Sequence, residues 1–443
     1  MTRRAFRAAA FPHTPMRYVP IPAAFYARNR DRLAAQLPPG SVAVVHSNDI
    51  FPTNADGTLA HHQNANLFYL TGIDQEESVL LVKIGPEGTH EDVLLLRETN
   101  EKIVIWEGAR LTREQGAALS GIADVRWTDA YDAVLAGWLP KATMLFIEKN
   151  EHPRQATPVQ TRNDRYAAEL AAKWPGMPQK SLYDTVAGLR QIKTPEELVQ
   201  LRKACSITAE GFKAALADIR PGIGEWEIEA RLSYEYIRRG ARKFSFLPII
   251  ASGEGTCILH AIANDAVCRD GDLILMDIGA EYGGYNGDMT RTVPANGRFT
   301  PRQREVYDAV LRIHRHAESI LRPGILKSEY ERRVRVFTGG ELVRLGLLTE
   351  DDLAENPADP PAVRRYFMHG TSHFLGIDVH DVGEENPVIA EGMVWTVEPG
   401  IYIREEAIGI RLENDVYIGR DGNENLLAGA PIEADDIEEL MNR

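Results

Sequence analysis

The sequence predicts a mixed α/β (α+β) fold built from two domains, and three observations support this prediction. The chain has 443 residues, more than one ordinary hydrophobic core holds. Over residues 1–176, apolar runs of strand length alternate with helical patterns, as in an α/β domain. Over residues 177–443, a strand that ends in a carboxylate occurs twice at a long spacing. This spacing indicates two similar halves rather than a solenoid, whose period is about 20–50 residues.

Composition excludes several classes of protein. The hydrophobic content of 44% is normal for a globular protein, and no apolar run reaches the roughly 18 residues that a membrane helix needs. The net charge of −14 disfavours nucleic acid or an anionic membrane as a partner. The three cysteines, Cys205, Cys257 and Cys268, cannot form a disulfide framework, so we expect a cytoplasmic protein.

The first domain is predicted from its alternating patterns. Residues 1–20 are rich in arginine but lack the apolar region of a secretory signal, so we interpret them as an unstructured basic start, with a transit peptide as the alternative. Helical patterns lie at 22–37, 113–119 and 130–139, and strand patterns at 42–46, 78–84, 92–97 and 144–148. His61 and His62 are interpreted as a hydrogen-bonded loop rather than as metal ligands, because no carboxylate is near them in sequence.

A turn-rich segment at 174–178 is the predicted linker, which divides the chain into domains 1–176 and 177–443. The second domain opens with a long helix, for which Thr194 is the N-cap, Pro195 the first residue, and Glu197 the partner in a capping box. The acidic segment 350–361 is predicted to be a surface loop. The acidic tail after Pro431 is predicted to form a short solvated helix.

Two aspartates mark the first candidate site. The run from Asp272 to Asp277 is almost wholly apolar and predicts a strand buried on both faces, with Asp277 at its end. A buried carboxylate needs a partner for its charge. Asp288 follows a glycine-rich turn, and a tight return would bring it beside Asp277 with a cation between them. The alternative is that Asp277 caps a turn and Asp288 is solvated.

The same pattern recurs later in the chain. Residues 271–279 contain glycine, an apolar strand, a carboxylate and glycine, and residues 392–400 repeat this order 121 positions further on. Glu398 therefore corresponds to Asp277, and Glu413 follows it on a further strand as Asp288 follows Asp277. If the halves face each other, each contributes two carboxylates to one central site.

A histidine cluster lies upstream of Glu398. His369, His373 and His380 are predicted on a loop and a strand, because Gly370 stands where a zinc helix of the H-E-x-x-H type needs glutamate. Four carboxylates with one imidazole favour Mn²⁺, Co²⁺, Fe²⁺ or Mg²⁺ over a thiolate-type zinc site. Such a set can hold two ions about 3.5–4 Å apart, as two-metal hydrolases do.

These residues resemble the pita-bread metallopeptidases, and within them most closely the Xaa-Pro aminopeptidase (aminopeptidase P) family. The resemblance covers the whole second domain and extends to the segment 66–72 of the first. It implies a creatinase-like N-terminal α/β domain and a C-terminal pita-bread domain with a pseudo-twofold internal repeat. The motifs that carry it are Cys257-Ile-Leu-His260, Arg291-Thr-Val-Pro294, His369-Gly-Thr-Ser-His373, Asp378-Val-His380-Asp381, Val397-Glu398-Pro-Gly400 and Arg411-Leu-Glu413.

The resemblance also implies a role for each site residue. Asp277 would chelate one metal ion, Asp288 and Glu413 would bridge two ions, and His373 and Glu398 would complete the second. Glu398 would also take a proton from the bridging water. The implied ions are two divalent metals, Mn²⁺ first, with Co²⁺, Zn²⁺ or Fe²⁺ as alternatives. The remaining implied site residues are the substrate-contacting His260, His369 and His380, and Arg411 as a supporting arginine.

The implied activity is release of the N-terminal residue from peptides with proline in the second position. Proline presents a tertiary amide without an N–H, and histidine suits protonation of its leaving nitrogen. A prolidase, which cuts only Xaa-Pro dipeptides, is the alternative, and a metal-free binding protein on the same fold is a further one. The expected partners are such peptides and further copies of the chain in a dimer or tetramer. The loops after His380 and Tyr402 are shorter than the family's, which leaves the preferred substrate length open.

Overall fold

The computed structural model describes residues 17–149, 151–152, 154–155 and 158–443. The prediction of an unstructured basic start concerns mainly residues 1–16, which lie outside the described residues. No helix in the described part of the chain is both long enough and apolar enough to cross a bilayer.

The first part of the chain is a sheet with helices packed around it. Its helices are α1 Ala23–Ala34, α2 Ala65–Thr71, α3 Glu101–Glu107, α4 Arg113–Ser120, α5 Tyr131–Trp138, α6 Arg162–Lys173 and α7 Tyr183–Gln191. Its strands are β1 Ser41–His46, β2 Val79–Ile84, β3 His90–Leu96, β4 Val125–Trp127, β5 Met144–Ile147 and β6 Gln179–Ser181. The four predicted strands are confirmed as β1, β2, β3 and β5.

The six strands form one mixed sheet in the order β4-β3-β2-β1-β5-β6. Alternate residues of β1 face opposite sides because side chains of a strand alternate. Val42 and Val44 belong to a cluster with residues of α5 and α6, whereas Ala43 and Val45 belong to the main core that the second part of the chain shares. The sheet is therefore covered on both faces.

The sheet continues beyond the predicted linker. Strand β6 pairs in parallel with β5, with Lys180 opposite Phe146. Because hydrogen bonding to the first sheet extends to Ser181, we propose that the domain boundary lies after β6 rather than at residue 176. Strand β6 has only three residues and no apolar run, which is why its sequence gives no strand signal.

The second part has long helices outside and strands at its centre. Its helices are α8 Pro195–Leu216, α9 Glu225–Arg238, α10 Pro301–Ile320, α11 Lys327–Arg344, α12 Glu350–Ala354 and α13 Ala434–Met441. Its strands are β7 Ile249–Ser252, β8 Leu273–Ile278, β9 Glu281–Tyr282, β10 Tyr285–Asn286, β11 Met289–Pro294, β12 Val394–Val397, β13 Gly400–Ile403, β14 Ile408–Arg411, β15 Asn414–Tyr417 and β16 Glu424–Asn425.

The internal repeat is visible in the strand pairing. Strands β8 and β11 pair antiparallel, with Asp277 opposite Thr290, and β12 and β15 pair antiparallel, with Val397 opposite Asn414. Between β8 and β11, the short hairpin β9–β10 turns at Gly283 and Gly284, which have φ of 60° and 83°. Such a turn needs positive φ at both central residues, which glycine adopts without strain.

Several local predictions can be compared directly with the structure. The capping box at the start of α8 is confirmed, since Thr194 and Glu197 bond each other's backbone N–H. The predicted loop 350–361 contains α12, which begins after a capping box at Thr349. The predicted solvated helix is α13, but Ile437 on it is fully buried, because this helix packs one face against α10 and α8.

A buried ion cluster joins the two parts of the chain. Arg190 on α7 donates to Asn66 Oδ1 of the first part at 2.7 Å and to Asp378 Oδ2 of the second part at 2.7 Å. It also pairs with Asp381, whose other oxygen accepts from Lys193 Nζ at 2.7 Å. Burial opposes ionisation of Asp381, but Arg190 and Lys193 outweigh it and lower the pKa of this carboxyl.

We predict that Asp381→Ala strongly destabilises the fold. The substitution leaves the buried ammonium of Lys193 without its carboxylate and weakens the pairing of Arg190, and breaking a buried ion pair costs about 3–5 kcal/mol. Urea unfolding measures the loss. Asp378→Ala is the control, because the Asp378 side chain is 35% exposed and a smaller loss is expected. Equal, small losses in both variants would contradict the prediction.

Candidate metal centre

The four predicted carboxylates reach one centre from the two repeated strand pairs. Asp277 is the penultimate residue of β8 and Asp288 immediately precedes β11, whereas Glu398 follows β12 and Glu413 lies between β14 and β15. One ligand atom each from Asp288, Glu413 and His373 lie within 4.8 Å of one another. Asp288 is only 4% exposed, so the alternative of a solvated loop residue is wrong.

Asp277 and Glu398 adjoin this group. His373 Nε2 lies 3.5 Å from Asp288 Oδ2 and 3.6 Å from Glu398 Oε1. Asp277 Oδ2 accepts from Arg411 at 2.7 Å. The structure therefore brings together all five residues predicted as ligands.

Mutual repulsion and burial disturb the ionisation of these groups. Burial raises the pKa of Asp288 well above its usual range, and the neighbouring charges of Glu413 and Asp277 raise it further. Burial likewise raises the pKa of Glu413 well above normal, and Glu398 and Asp277 add to the effect. Burial raises the pKa of Glu398 to about 8, although Arg411 opposes the shift. Such a cluster requires a positive counter-charge if all its members are ionised.

The donor set fits divalent metal ions. Asp277 Oδ1 and Asp288 Oδ1 are buried acceptors, and no donor among the described residues bonds to them. Buried acceptors without donors are rare unless an ion or water completes them. Carboxylate oxygens with one imidazole nitrogen are the ligands that divalent ions such as Mn²⁺ take in proteins.

His373 is held in the form that binds a metal. Its Nδ1 lies 2.9 Å from the carbonyl oxygen of Phe374, and a proton on Nδ1 leaves the Nε2 lone pair facing the carboxylates. Burial, followed by the charge of His380, lowers the pKa of His373 well below its usual value, so the imidazole is neutral. The predicted placement of these histidines partly on a strand is wrong, because His369, His373 and His380 all lie in loops.

The other three predicted histidines surround the centre. His369 Nδ1 is 3.7 Å from Glu398 Oε2, and burial lowers the pKa of His369 to about 3. The ring of His380 stands edge-on to that of His373, with centroids 4.4 Å apart. His260 is exposed on a loop, and it lies close enough to His369 and His380 to contribute to the lowering of their pKa values.

Sequence reasoning missed Tyr402. Its hydroxyl accepts from Arg411 at 2.8 Å and lies 2.8 Å from His369 Nε2. Because His369 Nδ1 also contacts the carbonyl of Gly370 at 2.8 Å, both ring nitrogens of His369 are engaged. The sequence gave one indication of its place, because Tyr402 lies two residues after Gly400, the second glycine of the repeated unit. In the structure, Tyr402 is on strand β13.

Comparison with known proteins gives a consistent picture. Residues 199–420 match metallopeptidase family M24, and residues 26–146 match the N-terminal domain of aminopeptidase P. The Xaa-Pro aminopeptidase of Escherichia coli K12 is 35% identical over 441 residues, covering 94% of this chain and 97% of that protein.

Solved structures agree over the same length. The zinc-substituted aminopeptidase P of E. coli, in complex with product, superposes with a TM-score of 0.88 at 34% identity, covering 96% of this chain and 99% of that one. Proline aminopeptidase P II from Yersinia pestis gives a TM-score of 0.86 at 34% identity, with coverage of 95% and 99%.

We predict that the metal-free protein loses stability as pH rises from about 5 to about 8. The folded-state pKa of Glu398, about 8, lies above the value of about 4.3 in an unfolded chain. The folded state therefore binds more protons in this window, and the free energy of unfolding falls as pH rises. Melting temperatures with EDTA and with saturating Mn²⁺ measure the effect.

Mn²⁺ is expected to flatten this pH dependence because it supplies the missing counter-charge. Asp288→Asn serves as a second comparison, since removing one charge from the cluster should make the metal-free slope shallower. A melting temperature of the EDTA-treated wild type that stays constant or rises over the window would contradict the prediction.

Proposed function

The chain belongs to metallopeptidase family M24, and on that premise we propose that it works as a Xaa-Pro aminopeptidase. It is a metallo-aminopeptidase that releases the first residue of peptides with proline in the second position. The observation that carries this proposal is the convergence of Asp288, His373 and Glu413, with Asp277 and Glu398 beside them, on one buried centre.

We infer that these five residues would hold two divalent ions. The ions, when bound, polarise the scissile carbonyl and acidify the attacking water. Manganese is the metal that we propose first, because the set is rich in oxygen donors. Arg411 supports the set by fixing one oxygen of Asp277, so that the other oxygen faces the centre.

Glu398 is the residue that we propose as the proton acceptor. A positioned carboxylate such as that of Glu398 can accept a proton from a reacting water. Its Oε2 lies on the side of His369, whereas its Oε1 lies on the side of His373. A proton that Glu398 takes from water therefore stays between His369 and His373.

The histidines divide into two kinds. His369 is fixed through both ring nitrogens, to Tyr402 and to the carbonyl of Gly370, so we infer that it orients Glu398 and shapes the site. The hydrogen bonds of the described residues include none to the ring nitrogens of His260 or His380. Either imidazole can donate an N–H to the oxyanion. Because burial lowers the pKa of His380 to about 4, we propose His260 as the residue that protonates the prolyl nitrogen.

The space around the centre supports substrates longer than a dipeptide. A cavity of about 500 Å³ lies between the two parts of the chain, and its lining includes His380, Tyr183, Arg190 and Asn66. A second cavity of about 300 Å³ is lined by His373, His380 and Lys327. A prolidase needs room only for the dipeptide, and the similar proteins are named Xaa-Pro aminopeptidases.

The cellular location and the oligomeric state of the protein are further proposals. We infer a cytoplasmic location, which the three free cysteines support, since all of them are buried as thiols. A homo-oligomeric state, dimer or tetramer, stays a prediction that size-exclusion chromatography with light scattering can test.

The function is tested by profiling substrate length. We expect the purified, Mn²⁺-supplemented protein to release the first residue from Xaa-Pro tripeptides and longer peptides, and to leave matched Xaa-Ala peptides largely uncut. Cleavage of Xaa-Pro dipeptides alone would identify a prolidase instead. Absence of both turnover and metal uptake would favour the alternative of a metal-free binding protein on the same fold. Asp288→Ala is the control and should lose bound metal and activity together.

We also predict that His260→Ala keeps its metal but turns over about 10²–10⁴-fold more slowly, the usual contribution of a positioned acid or base. Metal content and kcat are measured on the same preparation. His316→Ala is the matched control, because His316 stacks on Phe337, away from the centre, at a ring distance of 4.1 Å. A wild-type kcat in His260→Ala would remove His260 from the mechanism.

A further inference from the structure

We propose that Thr290 and Asp415 are positioning residues, each of which holds a metal ligand of the opposite half of the repeat. Thr290 holds Glu413, and Asp415 holds Asp288. Thr290 lies two residues after Asp288, yet its hydroxyl donates to Glu413 Oε2 at 2.6 Å. Asp415 lies two residues after Glu413, yet its Oδ2 accepts from the backbone N–H of Asp288 at 2.9 Å. This inference rests on the metal ligands proposed above.

The strand geometry explains the reciprocity. Asp288 and Glu413 stand immediately before β11 and β15. Because residues two apart in an extended chain face the same side, Thr290 and Asp415 face the centre as these two ligands do. Strand β11, which follows Asp288, packs beside β14 and β15, which flank Glu413. The backbone joins them as well, because the N–H of Glu413 donates to the carbonyl oxygen of Thr290 at 3.0 Å. Each half of the repeat therefore supports the ligand of the other half.

Thr290 connects the arrangement to a third ligand. Its hydroxyl oxygen accepts from Arg411 Nε at 3.0 Å, and Arg411 in turn holds Asp277. Because Arg411 donates to this oxygen, the proton of Thr290 is directed to Glu413. One hydroxyl thus fixes the relative placement of Asp277 and Glu413.

The carboxylate of Asp415 is buried, and burying a carboxylate costs free energy. It is fully buried, its Oδ1 has no hydrogen-bond partner among the described residues, and its Oδ2 accepts from the thiol of Cys205 at 3.2 Å as well as from Asp288. An apolar side chain would avoid the cost of burying a carboxylate. Holding the backbone of Asp288 against the centre accounts for its presence.

A purely structural role makes a different prediction. If Thr290 and Asp415 only stabilise the strands, their loss lowers the melting temperature but leaves the metal affinity of the folded protein unchanged. If they position Asp288 and Glu413, metal affinity falls even where the protein is fully folded. Residues that orient metal ligands typically contribute about 10–100-fold in affinity.

The test is Mn²⁺ titration of EDTA-stripped protein by calorimetry, with Thr290→Val and Asp415→Ala. We expect both variants to bind Mn²⁺ about 10–100-fold more weakly than the wild type, and to show altered visible absorption when loaded with Co²⁺. At saturating Mn²⁺, kcat is expected to fall more than KM rises, since the substrate-contacting histidines are unchanged.

Conservative variants should restore affinity. Thr290→Ser keeps the hydroxyl, and Asp415→Asn keeps an oxygen that accepts the N–H of Asp288, so both are expected to bind Mn²⁺ nearly as the wild type does. Val93→Ala is the control for lost stability, because Val93 is buried in the separate cluster of the first sheet. It should lower the melting temperature and leave the Mn²⁺ affinity unchanged.

The outcomes separate this inference from the proposed function. If the wild type takes up no Mn²⁺, the proposed function itself fails. A second outcome is that the wild type binds Mn²⁺ while Thr290→Val and Asp415→Ala bind it within about twofold of the wild-type affinity, far below the usual loss. That result overturns only the positioning of Glu413 and Asp288 by Thr290 and Asp415. If Asp415→Ala does not fold, the comparison of Thr290→Val with Thr290→Ser decides the question.

Discussion

The repulsion among four carboxylates confined to one buried centre is the constraint on which the rest of the second domain depends. Burial raises the pKa of Asp288, Glu398 and Glu413, and the charges of neighbouring carboxylates raise it further. A fold that keeps such groups together must gain its stability elsewhere. The helices α8 to α11 and the strands they cover supply one continuous hydrophobic core around the centre. The cluster is therefore kept together by the packing of the surrounding fold rather than by its own contacts.

The arginines near the centre balance part of this charge without occupying it. Arg411 contacts Asp277 from behind, and Arg291 donates to the carbonyl oxygen of Glu413 at 2.6 Å and to the side chain of Asn414 at 2.8 Å. Both guanidinium groups are buried, so their charge is only weakly screened. Arg411 orients the carboxylate of Asp277, and Arg291 fixes the backbone beside Glu413.

The first domain contributes shape rather than chemistry. Its sheet packs against the same core as the catalytic half, and Arg190 and Lys193 tie it to Asp381, the residue after His380. The position of this histidine loop therefore depends on the contact between the domains. The cavity between them is lined by His380 as well as by Arg190 and Asn66, so the domain arrangement shapes the space next to the site.

The sequence by itself determined four strands of the first sheet, the capping box of α8, and the internal repeat with its four carboxylates, to which the family resemblance added His373. These follow from local patterns, because apolar alternation and capping involve neighbours in the chain, and the repeat exposes equivalent carboxylates. Only the tertiary structure decided the contacts of Tyr402, Thr290 and Asp415, the hydrogen bonds to both ring nitrogens of His369 and the place of β6 in the first sheet. Each of these depends on hydrogen bonds between segments far apart in sequence, such as Thr290 with Glu413. The packing of one repeated half against the other sets such bonds, and no local pattern encodes their register.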